Sequence, residues 1–187
     1  MSELSRRTLI LIMSILAISA CERTKPSQPG KPVVQKLDNG TEVVVGPRTS
    51  EILGRPDQVR AYRIMMPFDP SFAAAQKTHP LIGGYPILAE APVSSGTYQK
   101  ISALLLDPSS YDPNYAFDCL FKPRHALRFQ RGTDTVDVII CFECSDLDII
   151  PSPSLRERQT SQPFGRVAKP LYTAMLEVFP ERPGRKE

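Results

Sequence analysis

Apolar and polar residues alternate most regularly in the stretch between Pro123 and Pro151, which contains no proline. In residues 135–142 every second side chain is apolar, so one face of the segment is fully hydrophobic and the other is partly so. Residues 126–130 and 147–150 flank this segment and have a similar character. The pattern predicts three strands that form the core of a sheet.

A further hairpin is predicted near the N-terminus of the mature chain. Residues 33–37 and 42–45 are rich in valine and are separated by a segment that contains Asn39-Gly40. Asn-Gly between two such runs is a strong hairpin signal, because both turn residues tolerate positive φ. Residues 59–65 predict one more strand.

Helical spacing of apolar residues appears twice. Residues 96–106 follow a serine N-cap at Ser94 or Ser95, and residues 167–179 end at Pro180. A short helix around residues 51–53 would be capped by Thr49 or Ser50. Five prolines and a Gly-Gly pair interrupt residues 66–92, which we predict to be loop with short pieces of structure. The fold class is therefore α+β, a small antiparallel sheet with one or two packed helices.

The charge and proline content of the sequence bear on which classes of function it can have. The 187 residues include 23 Lys and Arg, 20 Asp and Glu, and 19 Pro, and the formal net charge is +3. Charges of both signs are interspersed, so the sequence has no extended basic face of the kind that binds nucleic acid. Proline is about twice as frequent as the roughly 5% usual in globular proteins, which indicates much loop.

The first 20 residues have the organisation of a signal peptide. Arg6 and Arg7 form a basic region, and an uncharged run over residues 8–20 follows that is too short to cross a bilayer as a helix. The end of the run, Ile18-Ser19-Ala20-Cys21, resembles the lipobox of bacterial lipoproteins. The resemblance implies cleavage before Cys21, which then carries the lipid. Glu22, in place of an Asp, favours the periplasmic face of the outer membrane over the inner membrane.

Residues 21–35 are predicted to be a flexible tether that follows the lipidated cysteine. They are rich in Lys, Pro, Ser and Gln and cannot bury enough apolar surface to offset the entropy of ordering. Residues 36–187 are predicted to form the single α+β domain. The expected partners are the membrane, through the anchor at Cys21, and an unidentified envelope protein.

Three cysteines of the domain, Cys119, Cys141 and Cys144, lie within or beside the predicted strands. An exported protein meets an oxidising compartment, which favours a disulfide and leaves one free thiol. Pairing of Cys119 with Cys141 or Cys144 would cross-link two strands and close a loop of more than 20 residues. In the chain-entropy model such a bridge stabilises the fold by about 3 kcal/mol.

Other interpretations of the cysteines remain open, of which the simplest is that all three are inert buried thiols. Cys119, Cys141, Cys144 and His125 could ligate zinc, because C-x-x-C forms half of many structural zinc sites, although the C-x5-H half is looser than usual. A further interpretation is thiol–disulfide exchange at Cys141 and Cys144. Exchange is disfavoured because the pair ends a strand rather than beginning a helix, and acidic residues flank it.

Catalytic motifs are absent from the sequence, which contains no G-x-S-x-G, P-loop, H-E-x-x-H or G-x-G-x-x-G. Arg124-His125 could join an acid–base site, but no spacing fixes its partners. The residues considered as partners are Asp134, Asp137, Tyr111, Tyr115 and Ser109. A non-enzymatic role is therefore favoured.

The segment from Cys119 to Phe129 and the segment from Val136 to Cys144, which ends in Cys-Phe-Glu-Cys, resemble a pattern in uncharacterised bacterial proteins. The resemblance implies a shared fold and no known activity. The sequence predicts a lipid-anchored cell-envelope protein that acts as an accessory or interaction module without a cofactor. The alternative is a metal- or thiol-dependent enzyme or sensor that uses Cys119, His125, Cys141 and Cys144.

Overall fold

The computed structural model describes residues 33–36, 42–111 and 119–180, which form nine strands and four α-helices. The strands are β1 (Val33–Lys36), β2 (Glu42–Val45), β3 (Gln58–Ile64), β4 (Leu81–Ile82), β5 (Tyr85–Pro92), β6 (His125–Arg131), β7 (Asp134–Cys141), β8 (Asp146–Pro151) and β9 (Thr160–Pro163). The helices are α1 (Pro47–Gly54), α2 (Phe72–Thr78), α3 (Ser95–Leu106) and α4 (Ala168–Val178).

Seven strands form one sheet in the order β4-β5-β3-β6-β7-β8-β9, and every neighbouring pair is antiparallel. β1 and β2 form a separate antiparallel hairpin in which Val33 is opposite Val45. The hairpins β6–β7 and β7–β8 place three consecutive strands side by side at the centre of the sheet, as their alternating pattern predicts. The predicted α+β class is confirmed.

One face of the sheet, which we call the helix face, packs against α1, α3 and α4. Alternate side chains of the central strands point to this face and join side chains of the helices in a single apolar core. Its fully buried members include Ile52, Ile101, Leu127, Phe129, Val136, Val138, Ile140, Leu147, Phe164 and Leu171.

The opposite face, which we call the open face, has a smaller apolar cluster formed by Tyr62, Ile64, Ile82, Ala126 and Ile139. The β4–β5 turn curls over this cluster. Gly83 has φ +55°, and a Cβ there would lie 2.7 Å from Cδ1 of Ile139. Glycine is therefore required at this turn for both its backbone conformation and its close approach to the sheet.

Charged side chains occupy another part of the open face. Arg128 and Asp137, opposite each other on β6 and β7, form two hydrogen bonds of 2.7 and 2.8 Å between guanidinium and carboxylate. Arg60 and Glu90 also form an ion pair. Burial raises the pKa of Tyr62, which lies beside Arg128 and Arg60. This part of the face is therefore held by paired charges.

The N-terminus of α1 is capped by a residue distant in sequence. The carboxylate of Glu157 accepts hydrogen bonds from the backbone N–H groups of Arg48 and Thr49 and from the hydroxyl of Thr49. Gly46 allows this approach, because a Cβ at that position would overlap the Glu157 carboxylate. A carboxylate at a helix N-terminus accepts hydrogen bonds from the unpaired N–H groups there, and its negative charge interacts favourably with the helix dipole.

Most predicted elements agree with the structure. The hairpin of β1 and β2, the strand β3, and the helices α3 and α4 lie within one or two residues of their predicted bounds. Ser94 caps α3, as predicted, and its hydroxyl accepts a hydrogen bond from the N–H of Thr97. The signal peptide, Cys21 and the first part of the tether lie outside the described residues, whereas β1 begins at Val33 within the predicted tether.

Three predictions were wrong in detail. The predicted loop over residues 66–92 contains α2, β4 and the eight-residue strand β5. Strand β5 tolerates Pro86 and Pro92 because both lie at positions where pairing with β3 and β4 does not require a backbone N–H donor. Helix α1 begins at Pro47 rather than near residue 51, and neither Thr49 nor Ser50 is its N-cap. Strand β9 was not predicted.

Candidate functional site

The structure joins Cys119 and Cys144 in a disulfide, with the two Cα atoms 5.6 Å apart. Cys119 lies in the segment before β6, and Cys144 lies in the turn between β7 and β8. The bridge therefore links a coil segment to a turn, rather than two strands as the sequence suggested. It fixes the chain that leads into β6 against the end of the β7–β8 hairpin.

Cys141 is the free cysteine of the described residues, and it is fully buried. Its Sγ accepts hydrogen bonds from the backbone N–H of Cys144 at 3.3 Å and of Lys122 at 3.4 Å. The sulfur of Cys141 thus lies between the two segments that the disulfide joins. The predicted pattern of one disulfide and one remaining thiol corresponds to this arrangement.

His125 and Cys141 project from opposite faces of the sheet. His125 is paired with Ile140, whose side chain lies in the core of the helix face, and Cys141 is the next residue after Ile140. Successive side chains of a strand point to opposite faces. With Cys119 and Cys144 also joined in a disulfide, the structure does not assemble the proposed zinc ligands. Among the described residues, no group of three or more His, Cys, Asp or Glu side chains is placed to hold a metal ion.

The residues considered for acid–base chemistry are also dispersed. Asp137 pairs with Arg128 on the open face, and Asp134 lies at the other end of β7, where it accepts a hydrogen bond from Ser154. The hydroxyl of Tyr111 donates to the carbonyl of Leu105 at 2.6 Å, and burial raises the pKa of Tyr111.

Ser109 donates to the Asp107 carboxylate, and Tyr115 lies outside the described residues. The hydrogen bonds given above for Asp137, Tyr111 and Ser109 thus go to residues other than His125.

Beside the disulfide, α4 and the β7–β8 turn enclose a hollow of about 450 Å³, which we call the basic groove. It is lined by Lys122, Arg124, His125, Phe142, Glu143, Ala168, Lys169 and Tyr172. Three separate parts of the chain supply these residues: the segment from the disulfide into β6, the turn after β7, and the first turns of α4. The groove therefore exists only because α4 packs on this end of the sheet.

Phe142 organises the inner wall of the basic groove. Its ring meets His125, Phe164 and Tyr172 edge-to-face, with centroid separations of 5.6, 5.9 and 5.0 Å. Edge-to-face contacts at these distances stabilise aromatic clusters beyond the burial of their area. Phe164 is fully buried in the core of the helix face, so the aromatic wall of the groove is continuous with that core.

Positive charge predominates in the basic groove. Arg124 and Glu143 form a loose ion pair with 3.6 Å between Nε and Oε1, and both side chains are more than a third exposed. Lys122 and Lys169 form no ion pair with the described side chains of residues 45–111 and 119–180. The cationic side chains of Lys122, Arg124 and Lys169 therefore face one carboxylate.

Sequence reasoning found only part of this site. Arg124, His125 and the Cys-Phe-Glu-Cys turn were singled out, but for catalysis, metal binding or disulfide formation. Lys169 and Tyr172 were missed because they lie at least 25 residues further along the chain than the Cys-Phe-Glu-Cys turn. The signal available in the sequence was their i, i+3 spacing on a predicted helix, which places both on one side of α4.

No helix in the part of the chain that the structure describes has both the length and the apolar character needed to span a membrane.

No protein-family model matches the chain, and no curated protein matches it. Among solved structures, the chain is similar to the "Putative Lipoprotein from Clostridium perfringens", with a TM-score of 0.44 and 14% sequence identity. The match covers 72% of this chain and 92% of that chain. A likeness of this size assigns neither a family nor a function.

Proposed function

We propose that the chain is a lipid-anchored protein of the bacterial cell envelope that acts as a non-enzymatic interaction module. The observation that carries the anchoring is the order of residues at the N-terminus: Arg6 and Arg7, a short uncharged run, then Ile18-Ser19-Ala20-Cys21. The small residues before Cys21 suit a peptidase that must close around an extended backbone. Three acyl chains at Cys21 would hold the protein far more firmly than the marginal binding that one chain gives.

The tether would separate the domain from the bilayer. Residues 22–32 include Pro26, Pro29 and Pro32 and few apolar side chains, a composition typical of extended linkers. At about 3.1 Å per residue, such a segment spans some tens of ångströms. The domain that begins with β1 would then reach partners away from the membrane surface. Glu22 after the lipidated cysteine favours the periplasmic face of the outer membrane.

The basic groove is the feature that supports a binding role. It combines unpaired cations with an aromatic wall in one concave surface, which is typical of sites that recognise a ligand. The dispersal of the candidate acid–base residues gives no comparable support for catalysis. An interaction module is therefore the function that the geometry supports best.

Replacement of Cys21 tests the anchoring. We expect Cys21→Ala to remain uncleaved and unacylated, with a mass larger than that of the mature protein by the signal peptide and lacking the acyl chains. Globomycin, which inhibits the lipoprotein peptidase, should likewise block maturation of the wild type. Cys141→Ser is the matched control, since it also removes a thiol and should be acylated normally. Normal acylation of Cys21→Ala would contradict the proposal.

Separation of inner and outer membranes tests the location. We expect the wild type in the outer-membrane fraction and Glu22→Asp to move toward the inner membrane. An unchanged distribution of this variant would contradict the role of Glu22.

A thiol-dependent sensor is the second candidate, and it is supported by the position of Cys141 beside the disulfide. Native and denaturing mass spectrometry of the mature protein separates the possibilities. Loss of two hydrogens with one alkylatable thiol at Cys141 corresponds to the disulfide form. One retained zinc ion would favour the metal-dependent alternative instead.

A further inference from the structure

We propose that the basic groove binds an acidic segment of a partner protein, in which carboxylates flank an apolar or aromatic side chain. This inference rests on the proposed function, since it names the kind of partner that an interaction module of the envelope would recognise. The groove is distinct from the anchor at Cys21 and from the charged pairs of the open face.

Charge complementarity is the first argument for an acidic partner. Lys122 and Lys169 stand on different walls of the groove, one before β6 and one on α4, and neither has a carboxylate partner among the described side chains of residues 45–111 and 119–180. Lys100, which lines the neighbouring hollow, is by contrast paired with Glu177 at 2.7 Å. Two unpaired cations that face one hollow attract a ligand with negative charges on two sides.

The aromatic wall sets the second requirement for the partner. Tyr172 and Phe142 line the same groove as the cations, and both rings are half-buried. Their rings offer apolar contact area, and few rotatable bonds are fixed when a ligand packs against them. An apolar side chain between two carboxylates would fill this part of the groove. A free inorganic anion would leave it empty.

The shape of the surface favours a chain segment over a lipid bilayer. A flat bilayer surface would touch the exposed rim at Lys169 but not the inner aromatic wall. A second hollow of about 490 Å³ shares Lys169 and continues along α4 past Pro170 and Thr173. Together the two hollows make a concave strip that suits an extended peptide.

The groove is also held in place before a ligand arrives. The disulfide fixes the start of the segment that contains Lys122 and Arg124, and the N–H of Lys122 donates to Cys141 Sγ. The carbonyl of Arg124 accepts a hydrogen bond of 3.0 Å from the N–H of Ile64 at the end of β3. Binding would therefore order few protein groups, which reduces its entropic cost.

Fluorescence anisotropy with defined peptides tests the inference. The probe is a rhodamine-labelled peptide, Gly-Asp-Phe-Glu-Asp-Gly, and its uncharged counterpart is Gly-Asn-Phe-Gln-Asn-Gly. The protein is the acylated full-length mature chain in phosphatidylcholine nanodiscs, which carry no net charge. We expect the acidic peptide to bind at least about tenfold more tightly than the amide peptide, and binding to weaken as salt increases.

Reversing the charge of the groove lysines tests whether the peptide binds in the groove. Lys122→Glu combined with Lys169→Glu should weaken binding of the acidic peptide by about tenfold or more, and the neutral pair Lys122→Gln with Lys169→Gln should have an intermediate effect. Lys77→Glu on α2 is the matched control, because Lys77 is exposed and lies outside the groove. Circular dichroism of each variant verifies that the fold is retained.

Three outcomes would overturn the inference. The two peptides could bind equally, Lys77→Glu could weaken binding as much as the groove variants do, or nanodiscs with phosphatidylglycerol could displace the peptide from the groove. The last would assign the groove to anionic lipid. Acylation of Cys21 is measured separately by mass, so failure of peptide binding with normal acylation rejects the inference alone. If Cys21 is not acylated, the peptide measurement is made without nanodiscs.

Discussion

The two faces of the central sheet are stabilised in different ways. On the helix face, apolar side chains from the central strands and from α1, α3 and α4 fill one continuous core around Phe129. On the open face, a smaller apolar cluster lies under the β4–β5 turn, and the Arg128–Asp137 pair holds another part. Burial of apolar area stabilises a fold roughly in proportion to its extent, whereas a partly exposed ion pair contributes little. We therefore expect stability to depend mainly on the helix face.

The largest effect should come from truncation of the helix face. Phe129 is fully buried, so Phe129→Ala would remove apolar contacts and leave a cavity, which costs about 3–5 kcal/mol of unfolding free energy. Phe129→Leu, which keeps most of the volume, should cost clearly less. Urea denaturation followed by circular dichroism measures both. A loss below about 1 kcal/mol for Phe129→Ala would remove the distinction between the faces.

The disulfide, at the end of the sheet where the basic groove lies, should have the next largest effect. Cys119→Ser leaves the chain without the bridge that closes a 25-residue separation, and we expect a loss of about 2–4 kcal/mol. Dithiothreitol should lower the stability of the wild type to a similar level and leave Cys119→Ser unchanged. Equal sensitivity of both proteins to the reductant would show that the bridge does not stabilise the fold.

A smaller effect is expected from the Arg128–Asp137 pair of the open face. Asp137→Ala should cost about 1–2 kcal/mol, because the Arg128 guanidinium loses two hydrogen bonds but stays about a third exposed to water. Arg128→Met combined with Asp137→Leu should restore stability to within about 1 kcal/mol of the wild type. A double variant as unstable as Asp137→Ala would indicate that the ion pair contributes more to the free energy of unfolding than we expect.

The smallest effect should depend on pH. Burial raises the pKa of Asp146 on the open face, so the folded state favours the protonated carboxyl more than the unfolded state does. The associated stability is present below the unfolded pKa of about 3.9 and is lost as pH rises through the raised folded pKa. Asp146→Asn should therefore be more stable than the wild type by about 0.5 kcal/mol or less at pH 7, since solvent reaches the half-buried carboxyl.

This gain should vanish near pH 3. Thermal unfolding at the two pH values measures the difference. A gain for Asp146→Asn that is independent of pH would indicate a cause other than the carboxyl.

Sequence patterns predicted the part of the fold that depends on local periodicity. The alternation in β7 was sufficient to predict that strand, and the serine cap was sufficient to predict the start of α3, because each signal is encoded within a few neighbouring residues. Strand β5 was missed because its two prolines resemble loop, although they lie where pairing does not need an N–H group. Strand β9, with the polar sequence Thr-Ser-Gln-Pro, pairs only along β8 and has no apolar alternation of its own.

The basic groove could not be predicted in the same way, because it arises from contacts between distant segments. Lys122 and Lys169 are ordinary surface residues in the sequence, and only the packing of α4 on the sheet brings them to one hollow. The cap of α1 by Glu157 has the same origin, since the two partners are more than 100 residues apart. The opposite orientation of His125 and Cys141 depends on strand register, which single-sequence patterns do not determine.

The β1–β2 hairpin has a mechanical consequence for a tethered domain. Val33, where the proposed tether enters the described structure, pairs with Val45, which is buried in the core just before α1. A pulling force from the membrane would load the Val33–Val45 pair first and open the hairpin one residue pair at a time. The hairpin would extend and absorb the load before force reached the Glu157 cap of α1. It would thus unfold first and shield the core, and with it the groove, from tension on the proposed anchor at Cys21.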